Sequence, residues 1–140
     1  MFKTILAPVD LNDSDAASPA LDRAVELAAL SGGNVRLIYI RSIMPVTYME
    51  FVPPSFDEEQ QREAEEELAK VAAGLDLPAE RISSVVRLGS IYHEVLDEAD
   101  KCAADLIVVG SHRPSMATYL LGSNATTIVR HARISVLVVR

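Results

Sequence analysis

The stretch DLIVVGSHRPSMATYLLGSNATTIVRHARISVLVV, residues 105–139, decides how the chain folds. It opens on a nearly continuous apolar run at 105–109 and closes on another at 135–139, the pattern of strands covered on both faces. Between them Ser123, directly after Gly122, starts a short helical segment at 123–131. A strand, a helix and a second buried strand form one unit of a parallel sheet.

The same alternation runs back through the rest of the chain. Residues 2–9 (FKTILAPV), 35–40 (VRLIYI) and 82–88 (ISSVVRL) read as three further strands. The last of these carries Ser83, Ser84 and Arg87, which suits an edge. Asp13 or Ser14 can cap a helix reaching about Leu30 and closed by Gly32–Gly33, with Leu21, Val25, Ala28 and Ala29 at helical spacing. Residues 56–74 give an acidic helix, and residues 90–104 a third helix capped by Ser90. Strands alternating with helices predict one α/β domain over residues 1–140, a parallel sheet with right-handed crossovers. The irregular stretch 42–55 reads as a connector, or as a flap or interface built on its Met, Tyr and Phe side chains.

Composition narrows the function classes. Half the residues are hydrophobic (49%) and 24% are charged, enough for a core without staples. The formal net charge is −7, which argues against a nucleic-acid binder. No run approaches the ~20 apolar residues of a membrane span. The lone Cys102 makes no internal disulfide, and a reducing, cytoplasmic setting is expected.

Ligands of open α/β sheets bind beyond the carboxyl ends of the strands, where the strand order reverses. The first strand runs out at Pro8, Val9 and Asp10, and the fourth at Gly110, Ser111 and His112. Asp10 can accept hydrogen bonds from a sugar or base, or can equally be a turn residue. Gly122 admits a phosphate to the backbone, Ser123 and Asn124 add a hydroxyl and an amide at a helix N-terminus, and Arg113 can clamp from the loop. An ordinary strand–helix connection would use the same Gly and Ser. Neither a P-loop nor a G-x-G-x-x-G fingerprint occurs. His131 reads as a helix C-terminal cation, His93 as surface, the acidic helix as a solvated face, and Cys102 as a small core residue.

The segment 110–140, with the opening KTILAPVDLNDSD (3–15), resembles the universal stress protein family, in its subgroup with a GSxxPxxxTxLLGSNA loop. The resemblance spans the whole chain. It implies a flavodoxin-like five-stranded sheet of order 3-2-1-4-5 and a homodimer paired through residues 135–140. It also implies ATP, with magnesium or manganese held by the phosphates. Pro8, Val9 and Asp10 would line the adenosine, Tyr39 or Ile40 the adenine edge, and Gly110 the ribose. Arg113, Gly122, Ser123 and Asn124 would hold phosphates, and beyond Gly110 and Ser111 at the strand's end His112 can touch a phosphate or stack on a base. The family's ATP motif is G-x2-G-x9-G-[ST]. Here Arg113 replaces the middle glycine, eight residues separate it from Gly122, and Pro114 lies between. A regulatory nucleotide binder is the leading expectation. The alternatives are slow ATP hydrolysis or self-transfer of a phosphoryl or adenylyl group through His112, Ser111 or Ser123, and a nucleotide-free partner-binding dimer.

Overall fold

The computed structural model describes residues 2–12, 14–43, 53–111 and 122–140. Strands β1 (Thr4–Pro8), β2 (Asn34–Arg41), β3 (Ile82–Leu88), β4 (Leu106–Gly110) and β5 (Ser135–Val139) form one sheet. Its order is β3-β2-β1-β4-β5, and every pairing is parallel. Helices α1 (Ser14–Ser31), α2 (Phe56–Ala73), α3 (Ile91–Lys101) and α4 (Ser123–His131) connect the strands. The fold class read from the sequence is the one observed, with β3 and β5 at the two edges.

Handedness decides which face each helix covers. The first two crossovers step outward from β1 to β2 to β3, so right-handed connections put α1 and α2 on one face. The chain then crosses back to β4 and steps on to β5, which puts α3 and α4 on the other. The core divides accordingly. Ile5, Ala7, Val35, Leu37, Leu106 and Val108 pack with α1 and α2. Their strand neighbours Leu6, Ile38, Ile40, Ile107 and Val109 pack with α3 and α4. Alternate residues on both faces are buried, which explains why the central runs are uniformly apolar.

Helix α1 buries Ala20, Leu21, Ala24 and Ala28, while Val25 is half-buried and Ala29 is exposed. Ala29 is one step too far round the helix to reach the sheet. The helix ends at Ser31 before Gly32, whose φ of 72° only glycine adopts freely. It has no basic residue in its last turn. Arg81 supplies one from across the chain, donating to the Ala28 and Gly33 carbonyls at 2.6 and 2.9 Å. The expected cap Asp13 lies outside the described residues, as do residues 44–52 of the 42–55 stretch.

Helix α3 stops at Lys101, three residues before the sequence reading. Ala104 N–H bonds the Ala99 carbonyl at 2.9 Å and Ala103 N–H the Asp100 carbonyl at 3.3 Å, a Schellman closure. It forces Ala103 to φ 55°, the left-handed region. Ser90 occupies the N-cap position but makes no side-chain cap bond. Cys102 is half-buried just past the helix, and burial pushes its thiol up from the ordinary range. That fits a packing role.

One buried carboxylate ties α3 to the sheet. Glu98, 6% exposed, accepts from Arg36 of β2 at 3.0 Å and from Arg87 of β3 at 3.1 Å. Arg87 also holds Glu94 at 2.8 Å and Asp97. Its own burial works against its charge, but the bond to Asp97 and the field of Glu94 win, so its pKa is raised.

Two predictions concern stability. Ala103→Gly removes the left-handed penalty and should stabilise the fold by about 1 kcal/mol, read as a higher urea midpoint with unchanged slope. At the start of β4, Asp105 accepts N–H groups of Lys3 and Thr4 at 2.8 and 3.1 Å. Partial burial raises its pKa, yet these two bonds outweigh it and hold the carboxyl below its ordinary range. Its contribution is therefore complete above the unfolded value of about 3.9 and fades as pH falls through the lower folded value. Asp105→Ala should cost about 1–3 kcal/mol at pH 7 and flatten part of the acid-side decline in the urea midpoint.

Candidate functional site

The strand order reverses between β1 and β4, and there the ladder is short. The paired register comprises Ile5–Leu106 and Leu6–Ile107. The cause lies in Pro8. Backbone groups along a strand point to alternate neighbours. Thr4 O accepts from Asp105 N–H of β4 at 3.0 Å, whereas Val9 N–H donates to Ile38 O of β2 at 2.8 Å. Even-numbered residues of β1 therefore face β4. After Leu6 the next donor on that side belongs to residue 8, and proline has no N–H.

The other wall is built by β4. Its pairing with β5 continues to Gly110–Val139, and Ser111 donates its N–H and hydroxyl to the Val139 carbonyl at 3.0 and 3.3 Å. Ser111 thus turns to β5, and Gly110, one place earlier, turns its backbone to the β1 side. Pro8 there offers no donor, so a crevice opens at the reversal.

Around this crevice the residues singled out from the sequence take distinct places. Val9 is buried against the α1–α2 side of the core. Asp10 is exposed, and its Oδ1 accepts the Asn12 N–H at 3.0 Å. That bond is the turn role, and among the described residues the second carboxylate oxygen has no partner. Pro8 pairs in register with Ile38, so Tyr39 and Ile40 lie one and two places further along β2. Tyr39 is half-buried toward α1 and α2, and Ile40 is buried toward α3 and α4. Their side chains are committed to packing. His112 and Arg113 lie outside the described residues.

Helix α4 begins at the same end of the sheet. It starts at Ser123, as the sequence reads, and its N-cap is Gly122, with φ −60° and no side-chain cap bond. Thr126 N–H donates to the Gly122 carbonyl at 2.9 Å, the first bond of the helix. The N–H groups of Ser123, Asn124 and Ala125 have no intrahelical acceptor. A Cβ added at Gly122 would meet nothing within 4 Å. Gly122 and Ser123 are exposed and Asn124 is half-buried. Oriented donors at a helix start beside an open crevice suit an anion with an attached ring system.

Arg41 was not singled out from the sequence. It closes β2 one place past Ile40, held by Asp57 and Gln61 of α2 at 2.7 and 2.8 Å. Only the pairing of β2 with α2 brings these residues together. Among the described residues no group of three or more His, Cys, Asp or Glu forms a metal cluster, and no helix is long and apolar enough to cross a membrane. His93 and His131 are both exposed, His131 at the C-terminus of α4.

Sheet order, crossovers and the crevice at the reversal define a single-domain flavodoxin-like α/β protein. The chain matches the universal stress protein family over residues 1–140, and it belongs to that family. Universal stress protein G of Escherichia coli O157:H7 is 37% identical over 143 residues, covering 100% of both chains. The structure of universal stress protein UspA from Lactobacillus plantarum superposes with TM-score 0.77 at 26% identity, covering 99% of this chain and 97% of that one. A universal stress protein in complex with cAMP superposes with TM-score 0.63 at 27% identity, with coverages of 99% and 97%.

Gly122 is an extended N-cap with open space among the described residues, so Gly122→Ala should cost no more than about 1 kcal/mol, the loss of a preferred cap residue. Thermal and urea unfolding measure this. A larger loss would mean that the glycine is needed by the fold itself.

Proposed function

We propose that this universal stress protein binds an adenine nucleotide, ATP foremost, and acts as a nucleotide-responsive regulatory homodimer in the cytoplasm. The observation that carries the reading is the end of the β1–β4 ladder at Pro8, opposite Gly110 and near the open start of α4. The nucleoside lies along Pro8, Val9, Asp10 and the backbone of Tyr39 and Ile40. The second oxygen of Asp10 accepts from a ribose hydroxyl or base amine, and Gly110, with Ser111 and His112 beyond it, flanks the sugar. The phosphates meet the N–H groups of Ser123 and Asn124, approach closely over Gly122, and are countered by Arg113. Magnesium or manganese comes with the triphosphate and is held by its oxygens. The relative solved with cAMP carries an adenine nucleotide, which supports this ligand class.

A triphosphate reaching from Asp10 to α4 joins elements on the two sides of the switch point. Occupancy then favours one arrangement of the intervening loop and of the surface presented to partners. Dimerisation uses residues 135–140. β5 is an edge strand with Leu137 exposed, and an apolar edge gains by pairing with a second copy. A second reading is a dimer that binds partners without nucleotide. It is favoured by Arg113 in place of the middle glycine, Pro114, and the shortened loop.

Calorimetric titration of nucleotide-stripped protein with ATP and AMP, with and without Mg²⁺, separates the two. ATP should bind at least about tenfold tighter than AMP, a difference of about 1.4 kcal/mol. Gly122→Val should erase that difference while the protein remains folded, at a cost of about 1 kcal/mol for the poorer N-cap. No heat and no thermal stabilisation at millimolar nucleotide would establish the nucleotide-free dimer instead.

A further inference from the structure

A second feature lies at the opposite, amino-terminal end of the strands. Leu96 and Ala99 of α3, Ile107 of β4 and Ile134 ahead of β5 line a hollow of about 190 Å³, with Asp100, His131 and Arg133 around it. At ~30 Å³ per water this is the room of about six waters, suited to one Leu- or Phe-sized side chain. It is too small to enclose a whole cofactor.

The cations on the helices and strands other than α4 are neutralised, Lys3 and Arg81 lying outside those elements. Every Lys and Arg of α1, β2, α2, β3 and α3 pairs with a carboxylate. Arg130 and Arg133 are exposed and form no ion pair among the described residues, and His131 between them is exposed too. All three sit at or just past the C-terminus of α4, where positive charge complements the helix dipole. Of these, His131 and Arg133 line the hollow while Arg130 lies one residue before them on α4, and on a chain of net charge −7 this end of α4 is where an anionic surface meets least repulsion.

We propose that this face docks an acidic protein segment through one aliphatic or aromatic anchor side chain. The anchor fills the hollow between α3 and the start of β5. Carboxylates flanking it meet Arg130, His131 and Arg133, and Asp100 accepts a backbone N–H of the segment. An anchor in an apolar pocket with Arg133 at its rim concentrates binding energy in a few residues. The face lies at the other end of the strands from the nucleotide crevice, so its occupant does not compete for that site.

The test uses the full chain and fluorescein-labelled heptapeptides Asp-Glu-Glu-X-Glu-Glu-Asp, with X as Leu, Phe or Ala, read by anisotropy and by amide chemical shifts. The Leu or Phe peptide should bind at least about fivefold tighter than the Ala peptide, as an anchor in a pocket requires. Shifts should centre on Leu96, Ile107 and Ile134. The double variant R130E/R133E should lose binding, and Arg133→Gln, which keeps a polar side chain but removes its charge, should weaken it. Equal affinity for all three peptides, or no binding at millimolar peptide, would overturn the proposal. So would an oligothymidylate that displaces the peptide and binds the same residues more tightly. A changed sedimentation coefficient of R130E/R133E without peptide would also overturn it, by making the face a contact between copies of this chain.

Discussion

A proline that cannot donate to its neighbour shapes the working end of this protein. Leu6 makes the last β1 pairing to β4, and the next donor on that side belongs to Pro8. A ladder that continued would close the sheet over the point where its order reverses. Because it stops, the ends of β1 and β4 become two walls, one ending in the Asp10 turn and the other in Gly110. Right-handed crossovers determine the rest of the arrangement. They send α1 and α2 to one face and α3 and α4 to the other, and they bring α4 to start at this same end.

The opposite end of the sheet is fastened. Asp105 bridges the beginnings of β1 and β4, and Arg81 closes α1. Glu98 binds α3 to β2 and β3 through two guanidinium groups. A carboxylate this buried is costly unless its oxygens are satisfied, and here both are. Fastening at the amino ends of β1 and β4 contrasts with the interrupted ladder at the carboxyl ends of the same two strands. Arg130 and Arg133, without an ion pair among the described residues, give the amino end of the sheet a basic surface.

Much of this was legible in the chain. Uniform Val, Ile and Leu runs mark strands buried on both faces, and the β-strand limits fall within two residues of the runs. Ser83 and Ser84 mark the edge. The family pattern at Gly110, Gly122 and Ser123 marks the candidate site. Other features depend on register or on distant partners. That Pro8 faces β4 rather than β2 depends on which strand each neighbouring N–H reaches. Glu98 meets Arg36 from 62 positions away, and no periodicity announces such a pair. Ala103 takes a glycine's conformation without being glycine, which is why α3 reads longer in sequence than it is. Ala29 looks buried by spacing alone, yet it sits one step too far round the helix to reach the sheet.

The proposed nucleotide site is tested most directly by amide hydrogen exchange with and without Mg-ATP. If the interrupted ladder and the start of α4 form one nucleotide site, exchange should slow at Gly110 and at Ser123, Asn124 and Ala125. The Lys3, Thr4 and Asp105 amides should be unchanged. Protection confined to other parts of the chain while ATP is bound would contradict a site built on the gap that Pro8 leaves.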